Sequence, residues 1–167
     1  MSEMATLHLL HGIVGSGKTT FARRLERKFR AVRFSPDEWM VALHGINPPE
    51  SVFREQLARI TDLVWEQAGR VLRTGGDVVL DSGFWTRKSR DEARQRAKDL
   101  GVAWQLYSLQ CPVEEARRRV LARTEELPPG TLEITGPTFD CLLRQVEPLG
   151  EDEDHILVEA SAPLDNL

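Results

Sequence analysis

Cysteine is scarce in this chain of 167 residues, which contains only Cys111 and Cys141. Neither has a second cysteine at the short spacing of a metal-binding pair, and the four histidines are scattered. A disulfide framework and a zinc site are disfavoured, because both need several such residues at defined spacings. We therefore expect two free thiols.

Long apolar runs and an excess of positive charge are also missing. Apolar residues make up 41% and charged residues 29% of the chain, which lacks the roughly 20 consecutive apolar residues of a membrane-spanning helix. The acidic start Met1-Ser2-Glu3-Met4 does not resemble a targeting peptide, so we expect a cytoplasmic protein. The net charge of −4 disfavours extended binding to nucleic acid but leaves a small substrate or a nucleic-acid end open.

The length fits one domain, which we assign to residues 1–167. Short apolar runs alternate with helical patterns, which is typical of a parallel α/β sheet. Strands are predicted at residues 6–11, 31–35, 77–81, 103–109 and 155–159. Helices are predicted from the glycine-rich turn to about residue 30 and at residues 51–73, 86–100, 113–124 and 137–146. A short helix that ends near residue 43 is an alternative for the segment after the second strand.

The most informative segment follows the first predicted strand, where Gly12-Ile13-Val14-Gly15-Ser16-Gly17-Lys18-Thr19 matches GxxxxGK[ST] at every required position. Glycines let the backbone curl around a phosphate so that successive N–H groups point inward. Lys18 brings positive charge to the β- and γ-phosphates, and Thr19 supplies a hydroxyl to Mg²⁺. The helix that starts here, with Thr20 in its first turn, directs its positive dipole end at the anion. We predict a nucleoside triphosphate site, with a purely structural turn as the alternative.

Two carboxylates follow predicted strands. Asp81 comes directly after the buried run Val78-Val79-Leu80, where an acid beside a phosphate-binding loop usually reaches the nucleotide's Mg²⁺; the alternative is a helix cap. Asp37 follows the second strand and should emerge at the same edge of the sheet. There it would accept the proton of a hydroxyl that attacks the γ-phosphate. The alternative is that Ser35 or Asp37 merely caps a short helix.

Arg119 and Arg123 are four residues apart, which places them on one face of a helix. Such arginines stabilise the charge on a transferred phosphoryl group. The helix leads into Pro128-Pro129-Gly130, which breaks regular structure. We predict a lid over the nucleotide at about residues 119–137.

Three aromatic residues, Trp39, Phe84 and Trp85, lie within a few positions of Asp37 or Asp81. They would form a wall for a planar acceptor. Equally, they would pack as a local hydrophobic cluster, and the sequence leaves both alternatives open.

These segments together resemble the small P-loop kinases related to the polynucleotide 5'-hydroxyl kinase domain, zeta toxin and chloramphenicol phosphotransferase. The resemblance rests on the glycine-rich motif, Ser35-Pro36-Asp37-Glu38, Val79-Leu80-Asp81-Ser82-Gly83-Phe84 with Arg90 after it, and Cys111-Pro112 leading to Arg119 and Arg123. It implies a three-layer α/β/α fold with a five-stranded parallel sheet of order 2-3-1-4-5. It also implies ATP with Mg²⁺ as cofactors and γ-phosphate transfer to a hydroxyl.

The resemblance further implies individual roles. It puts phosphate binding at Lys18 and Thr19, the general base at Asp37, and lid arginines at Arg119 and Arg123. Ser161, after the last strand, would lie near the adenine.

One departure concerns the acceptor. The polynucleotide kinases have an arginine where this chain has Met40 beside Trp39. A less anionic acceptor fits these two residues better, although Arg87, Lys88 and Arg90 in the neighbouring loop would replace the missing charge.

From these observations we predict a cytoplasmic ATP-dependent kinase that transfers the γ-phosphate to a hydroxyl of a small-molecule or nucleotide-like acceptor. A polynucleotide 5'-hydroxyl kinase is one alternative. An ATP-binding switch or interaction module with slow hydrolysis is an alternative of another class.

Overall fold

The computed structural model describes residues 4–159, in which five strands form one parallel sheet. The strands are β1 (Thr6–His11), β2 (Val32–Phe34), β3 (Val78–Gly83), β4 (Ala103–Gln110) and β5 (Ile156–Glu159). They lie in the order β2-β3-β1-β4-β5, and every neighbouring pair is parallel. This confirms the order 2-3-1-4-5 that the family resemblance implies.

Within residues 4–159, six helices connect and cover the strands. They are α1 (Lys18–Phe29), α2 (Pro36–His44), α3 (Glu50–Arg73), α4 (Arg87–Leu100), α5 (Val113–Glu126) and α6 (Gly136–Leu143). Helix α3 is the longest, and no helix among residues 4–159 has the combination of length and apolar content needed to cross a membrane.

The alternation of side chains along each strand produces a core on either face of the sheet. On one face, Leu7 and Leu9 of β1 pack with Ile60 of α3 and Ala93 of α4. On the other face, Leu10 packs against α1 through residues such as Leu25. Because both faces are covered, five of the six residues of β1 and the first four residues of β3 are buried, as is typical of parallel strands.

The third strand is longer than predicted. Leu9 pairs with Leu80, but Leu10 pairs with Gly83, so the regular register skips Asp81 and Ser82. The prediction that Asp81 ends the strand is therefore corrected: Asp81 lies in an irregularity inside β3. Such bulges redirect side chains and are frequent beside active sites.

A buried ion pair fastens the segment before β5 to the start of α4. The side chain of Arg90 has no exposed surface, and its Nε and Nη2 donate to Glu153 at 2.8 and 2.9 Å. Arg94 Nη1 donates to the same carboxylate at 2.9 Å. The remaining hydrogen bonds of Arg90 go to the main-chain oxygens of Phe84, Trp85, Glu147 and Pro148.

Glu153→Gln is expected to lower the free energy of unfolding at pH 7 by about 3 kcal/mol, because it leaves the buried charge of Arg90 without its partner. Hydrogen bonds from Arg90 hold the pKa of Glu153 down at about 2. Since the folded-state pKa is depressed, this stabilisation is present above the ordinary glutamate pKa and is lost as the pH falls towards 2. Chemical denaturation of both proteins at pH 7 and pH 3 measures the effect.

The wild type and Glu153→Gln should differ less in their free energy of unfolding at pH 3 than at pH 7. An equal difference at both pH values would contradict a stabilising ion pair between Glu153 and Arg90. Glu55→Gln is the matched control. Glu55 pairs with Arg59 on the surface of α3, where both side chains are more than half exposed. Its replacement should change the unfolding free energy by less than about 0.5 kcal/mol.

Candidate active site

The glycine-rich loop between β1 and α1 has the backbone of a phosphate cradle. Gly15 and Gly17 have φ values of +82° and +92°, which residues with a Cβ rarely adopt. A Cβ at Gly15 would also lie 2.4 Å from the carbonyl oxygen of Ala116, so glycine lets α5 pack directly on the loop. Gly17 is the N-cap of α1 and has no side chain to bond the first N–H groups of the helix. These groups are the donors that an anion needs.

The other predicted nucleotide residues have different surroundings. Val14 packs in a small core with Ala116 of α5, and Ser16 is buried within the loop. Thr20 is exposed in the first turn of α1. Ser161 lies outside the described residues.

Lys18 extends back along the loop. Its Nζ donates to the carbonyl oxygens of Gly12 at 2.8 Å and Ile13 at 2.6 Å, and lies 5.9 Å from the centre of the Trp85 ring. Burial lowers its pKa to about 8, although the negative charges of Asp81 and Asp37 oppose this shift. The ammonium group therefore lies in a partly desolvated position where an added phosphate would stabilise its charge.

Asp81 and Thr19 form the pair of oxygen donors that the sequence predicts for Mg²⁺. Thr19 Oγ1 donates to Asp81 Oδ1 at 3.2 Å, and only 4% of the Asp81 side chain is exposed. Asp81 does not cap the next helix, because Thr86 caps α4. One hydroxyl beside one carboxylate fits Mg²⁺, which is bound through few protein ligands together with phosphate oxygens. When bound there, the ion would neutralise charge on the β- and γ-phosphates.

Asp37 lies in the first turn of α2, at the same edge of the sheet. Ser35 caps this helix, since its Oγ accepts a hydrogen bond from the Glu38 N–H at 3.2 Å. Asp37 is exposed and is left free of the capping role. Enclosure by surrounding protein atoms and the charge of Asp81 raise its pKa, while Lys18 and Arg123 lower it. These charges place Asp37, Lys18, Asp81 and Arg123 in one electrostatic cluster.

The two predicted lid arginines differ in position. Arg123 is partly buried, and its charge acts on both Lys18 and Asp37. Arg119 is exposed; its Nη2 lies 2.7 Å from Glu115, and its Nη1 lies 3.9 Å from the Cys111 sulfur. The structure thus brings Arg123 into the cluster and pairs Arg119 with a carboxylate of its own helix.

The three aromatic residues are half-buried and pack locally. Trp39 meets Phe34 edge to face with ring centres 6.2 Å apart, and Phe84 meets Trp65 in the same way at 6.4 Å. Trp85 Nε1 donates to the Gly12 carbonyl oxygen at 2.9 Å, so this indole supports the phosphate loop. These contacts favour the alternative of local packing, and contact of Trp39 or Phe84 with an acceptor stays a prediction.

Two residues that we predicted to contact the acceptor are buried, which corrects this prediction. Met40 lies on α2 and is fully buried in the core cluster that includes Ile60 of α3. Arg90 is equally buried, and all three of its guanidinium nitrogens have main-chain or Glu153 partners. Neither side chain offers a surface to an acceptor. Arg90, one of the three basic residues expected to compensate for Met40, instead forms a buried ion pair with Glu153.

Sequence reasoning missed a pair of charged residues beside Asp81. Arg33 Nη1 donates to Asp81 Oδ2 at 2.8 Å, and its Nη2 donates to both carboxylate oxygens of Glu38 at 2.8 and 3.0 Å. The signal was a single arginine inside the short strand β2. On an edge strand such a residue is ordinarily exposed, so it did not stand out.

Comparisons with known proteins agree with this geometry. Residues 7–149 match the family model described as AAA domain. A shikimate kinase from Dechloromonas aromatica (strain RCB) is 33% identical, with 89% of this chain and 81% of that protein covered. This match and the P-loop geometry confirm the predicted resemblance to P-loop kinases.

Solved structures show the same fold. A gluconokinase from Sinorhizobium meliloti 1021 has a TM-score of 0.60 and 18% identity, over 95% of this chain and 83% of that one. A chain of the Pnkp1/Rnl/Hen1 RNA repair complex has a TM-score of 0.69 and 24% identity, over 87% of this chain and 45% of that one. The chain belongs to the AAA domain family and is a P-loop kinase, an ATP-dependent phosphotransferase that acts on hydroxyl groups.

Proposed function

We propose that this kinase transfers the γ-phosphate of ATP, with Mg²⁺, to a hydroxyl of a small polyhydroxylated acceptor. The observation that carries the proposal is the position of Asp37, an exposed carboxylate on which the charges of Lys18 and Arg123 act. Shikimate and gluconate, which the names of two similar proteins contain, are both small polyhydroxylated acids. We infer an acceptor of this size and polarity, and we keep the cytoplasm as the proposed location.

The residues of the cluster divide the reaction between them. The N–H groups of the loop and Lys18 would hold the phosphates, while Thr19 and Asp81 would hold Mg²⁺. Asp37 accepts the proton of the acceptor hydroxyl as its oxygen bonds to the γ-phosphorus. The bond from that phosphorus to the β–γ bridging oxygen breaks at the same time, and ADP leaves. Arg123 stabilises the charge that spreads over the transferred group.

A polynucleotide 5'-hydroxyl kinase is the second candidate. It is favoured by the likeness to a chain of an RNA repair complex. Against it stand the net charge of −4 and the loss of Arg90 as a candidate for the acceptor phosphate. We therefore rank a small acceptor first and include oligonucleotides in the test.

We expect phosphoryl transfer from labelled ATP to one class of acceptor in a panel. The panel contains shikimate, gluconate, other sugars, nucleosides, 5'-hydroxyl oligonucleotides and hydroxyl-bearing antibiotics. Lys18→Ala should abolish transfer, because the phosphates lose their cation. Asp37→Asn should keep ATP affinity within about threefold and lose transfer by at least about 100-fold, the usual size of a general-base contribution.

The control for this experiment is Asp62→Asn, which removes an exposed carboxylate on α3. It should leave both ATP binding and transfer unchanged. Full activity in Asp37→Asn would show that Asp37 is not the base. Transfer to oligonucleotides alone would establish the second candidate.

The pH dependence of the reaction should show the lowered pKa of Lys18. In the free enzyme this pKa is about 8, so kcat/KM for ATP is expected to fall above pH 8 as the ammonium loses its proton. The corresponding fall in kcat should begin at higher pH, since bound phosphates stabilise the charged form. Steady-state kinetics between pH 6 and about 10 would separate the two profiles.

Lys18→Arg provides the comparison for the pH experiment. An arginine keeps its charge throughout this range, so the fall in kcat/KM above pH 8 should disappear even if the rate is lower. The same fall in both proteins would assign it to another group.

A further inference from the structure

Arg33 connects two acidic parts of the site. Only 11% of its side chain is exposed. One terminal nitrogen, Nη1, donates to Asp81 at 2.8 Å, and the other, Nη2, donates to both oxygens of Glu38. A single guanidinium thus bridges the carboxylate assigned to Mg²⁺ and a carboxylate in the first turn of α2.

Both oxygens of Asp81 have partners. Oδ1 accepts from Thr19, and Oδ2 accepts from Arg33. A metal ion that approaches Asp81 therefore meets a cation already bound to the same carboxylate. Two cations beside one buried carboxylate repel each other strongly, because a buried site screens charges less than bulk water does.

Glu38 competes with Asp81 for the positive charge of Arg33. It is the partner of Arg33 at its second terminal nitrogen, and it also accepts from Arg23 Nη2 at 3.3 Å. A Cβ added to Gly130 would lie only 2.9 Å from Glu38 Cγ, so the turn after α5 packs against this carboxylate. Glu38 of α2 therefore helps to position Arg33, and Gly130 of the predicted lid packs on the same Glu38 side chain.

We propose that Arg33 is a positioning residue that holds Asp81 before the metal binds and then shares this carboxylate with Mg²⁺, and so sets how strongly nucleotide binding depends on Mg²⁺. The inference rests on the proposed role of Asp81 towards Mg²⁺. It is independent of the acceptor.

The sign of the effect follows from the charges. Without Mg²⁺, Arg33 neutralises Asp81 and reduces its repulsion of the incoming phosphates. With Mg²⁺, Arg33 opposes the metal. Removal of the guanidinium should therefore weaken nucleotide binding without metal and preserve or strengthen it with metal. Removal of the Glu38 charge should do the reverse, because Arg33 then keeps Asp81 as its hydrogen-bonded acidic partner and only the more distant Glu26, at 3.5 Å, beside it.

The experiment is calorimetric titration with a non-hydrolysable ATP analogue, in EDTA and in excess Mg²⁺. The measured quantity is the ratio of the Kd in EDTA to the Kd in Mg²⁺. We expect Arg33→Gln to raise this ratio by at least roughly tenfold, and Arg33→Lys, which restores the charge, to return it towards the wild-type value. Glu38→Gln should lower the ratio.

Arg23→Gln is the matched control, since Arg23 contacts Glu38 from an exposed position. It should leave the ratio within about twofold of the wild type. A merely structural role of Arg33 would change both Kd values equally, and this outcome overturns the proposal. If Arg33→Gln does not fold, an unchanged ratio in Glu38→Gln also overturns it.

The failure of the proposed function would look different. A wild-type protein whose nucleotide affinity is indifferent to Mg²⁺ would remove the metal role of Asp81, and with it this inference. A protein whose nucleotide affinity depends strongly on Mg²⁺ but that transfers phosphate to no acceptor would overturn the proposed function. The change in the Kd ratio would then still decide the role of Arg33.

Discussion

The register of β3 against β1 is the constraint on which the site depends. Because the pairing moves from Leu80 directly to Gly83, the backbone around Asp81 leaves the regular ladder. The Asp81 carboxylate lies within hydrogen-bond distance of Thr19 on α1 and Arg33 on β2. One helix and two neighbouring strands thus meet at one side chain. Because side chains alternate along a strand, Asp81 lies on the same face as Val79, which is the face that α1 covers and from which Thr19 reaches it.

Burial acts in opposite directions on the pKa values of Asp81 and Lys18. It lowers the pKa of Lys18 and raises the pKa of Asp81, so in both cases it favours the neutral form. The groups remain useful because each has an opposite charge nearby. A nucleotide and its metal enter as an anion and a cation together, which adds a partner for Lys18 and for Asp81 at once. The site is therefore suited to a metal–nucleotide complex more than to either component alone.

Local sequence patterns predicted the strands and the helix caps well. They did not reveal contacts between residues that are far apart in the sequence. The first strand begins and ends where the apolar run does, and Ser35 caps α2 as one of the stated alternatives. The glycine-rich motif is local too, so its geometry follows from its spacing. The ion pair between Arg90 and Glu153 joins residues far apart in the sequence, and no periodic pattern marks it. An isolated charge near a predicted site therefore suggested an acceptor contact, although the fold uses Arg90 in its interior.

Helix α2 directs two neighbouring acids, Asp37 and Glu38, towards different partners. Consecutive helical residues point about 100° apart, so the exposed Asp37 and the Arg33-bound Glu38 leave the same turn in different directions. Ser35 holds that turn through its cap on Glu38. A shift of the Gly130 turn would press first on Glu38, and through the shared turn of α2 on Asp37. The proposed base and the partner of the metal carboxylate therefore lie on the same turn of α2, so the packing of Gly130 on Glu38 constrains the turn that carries both.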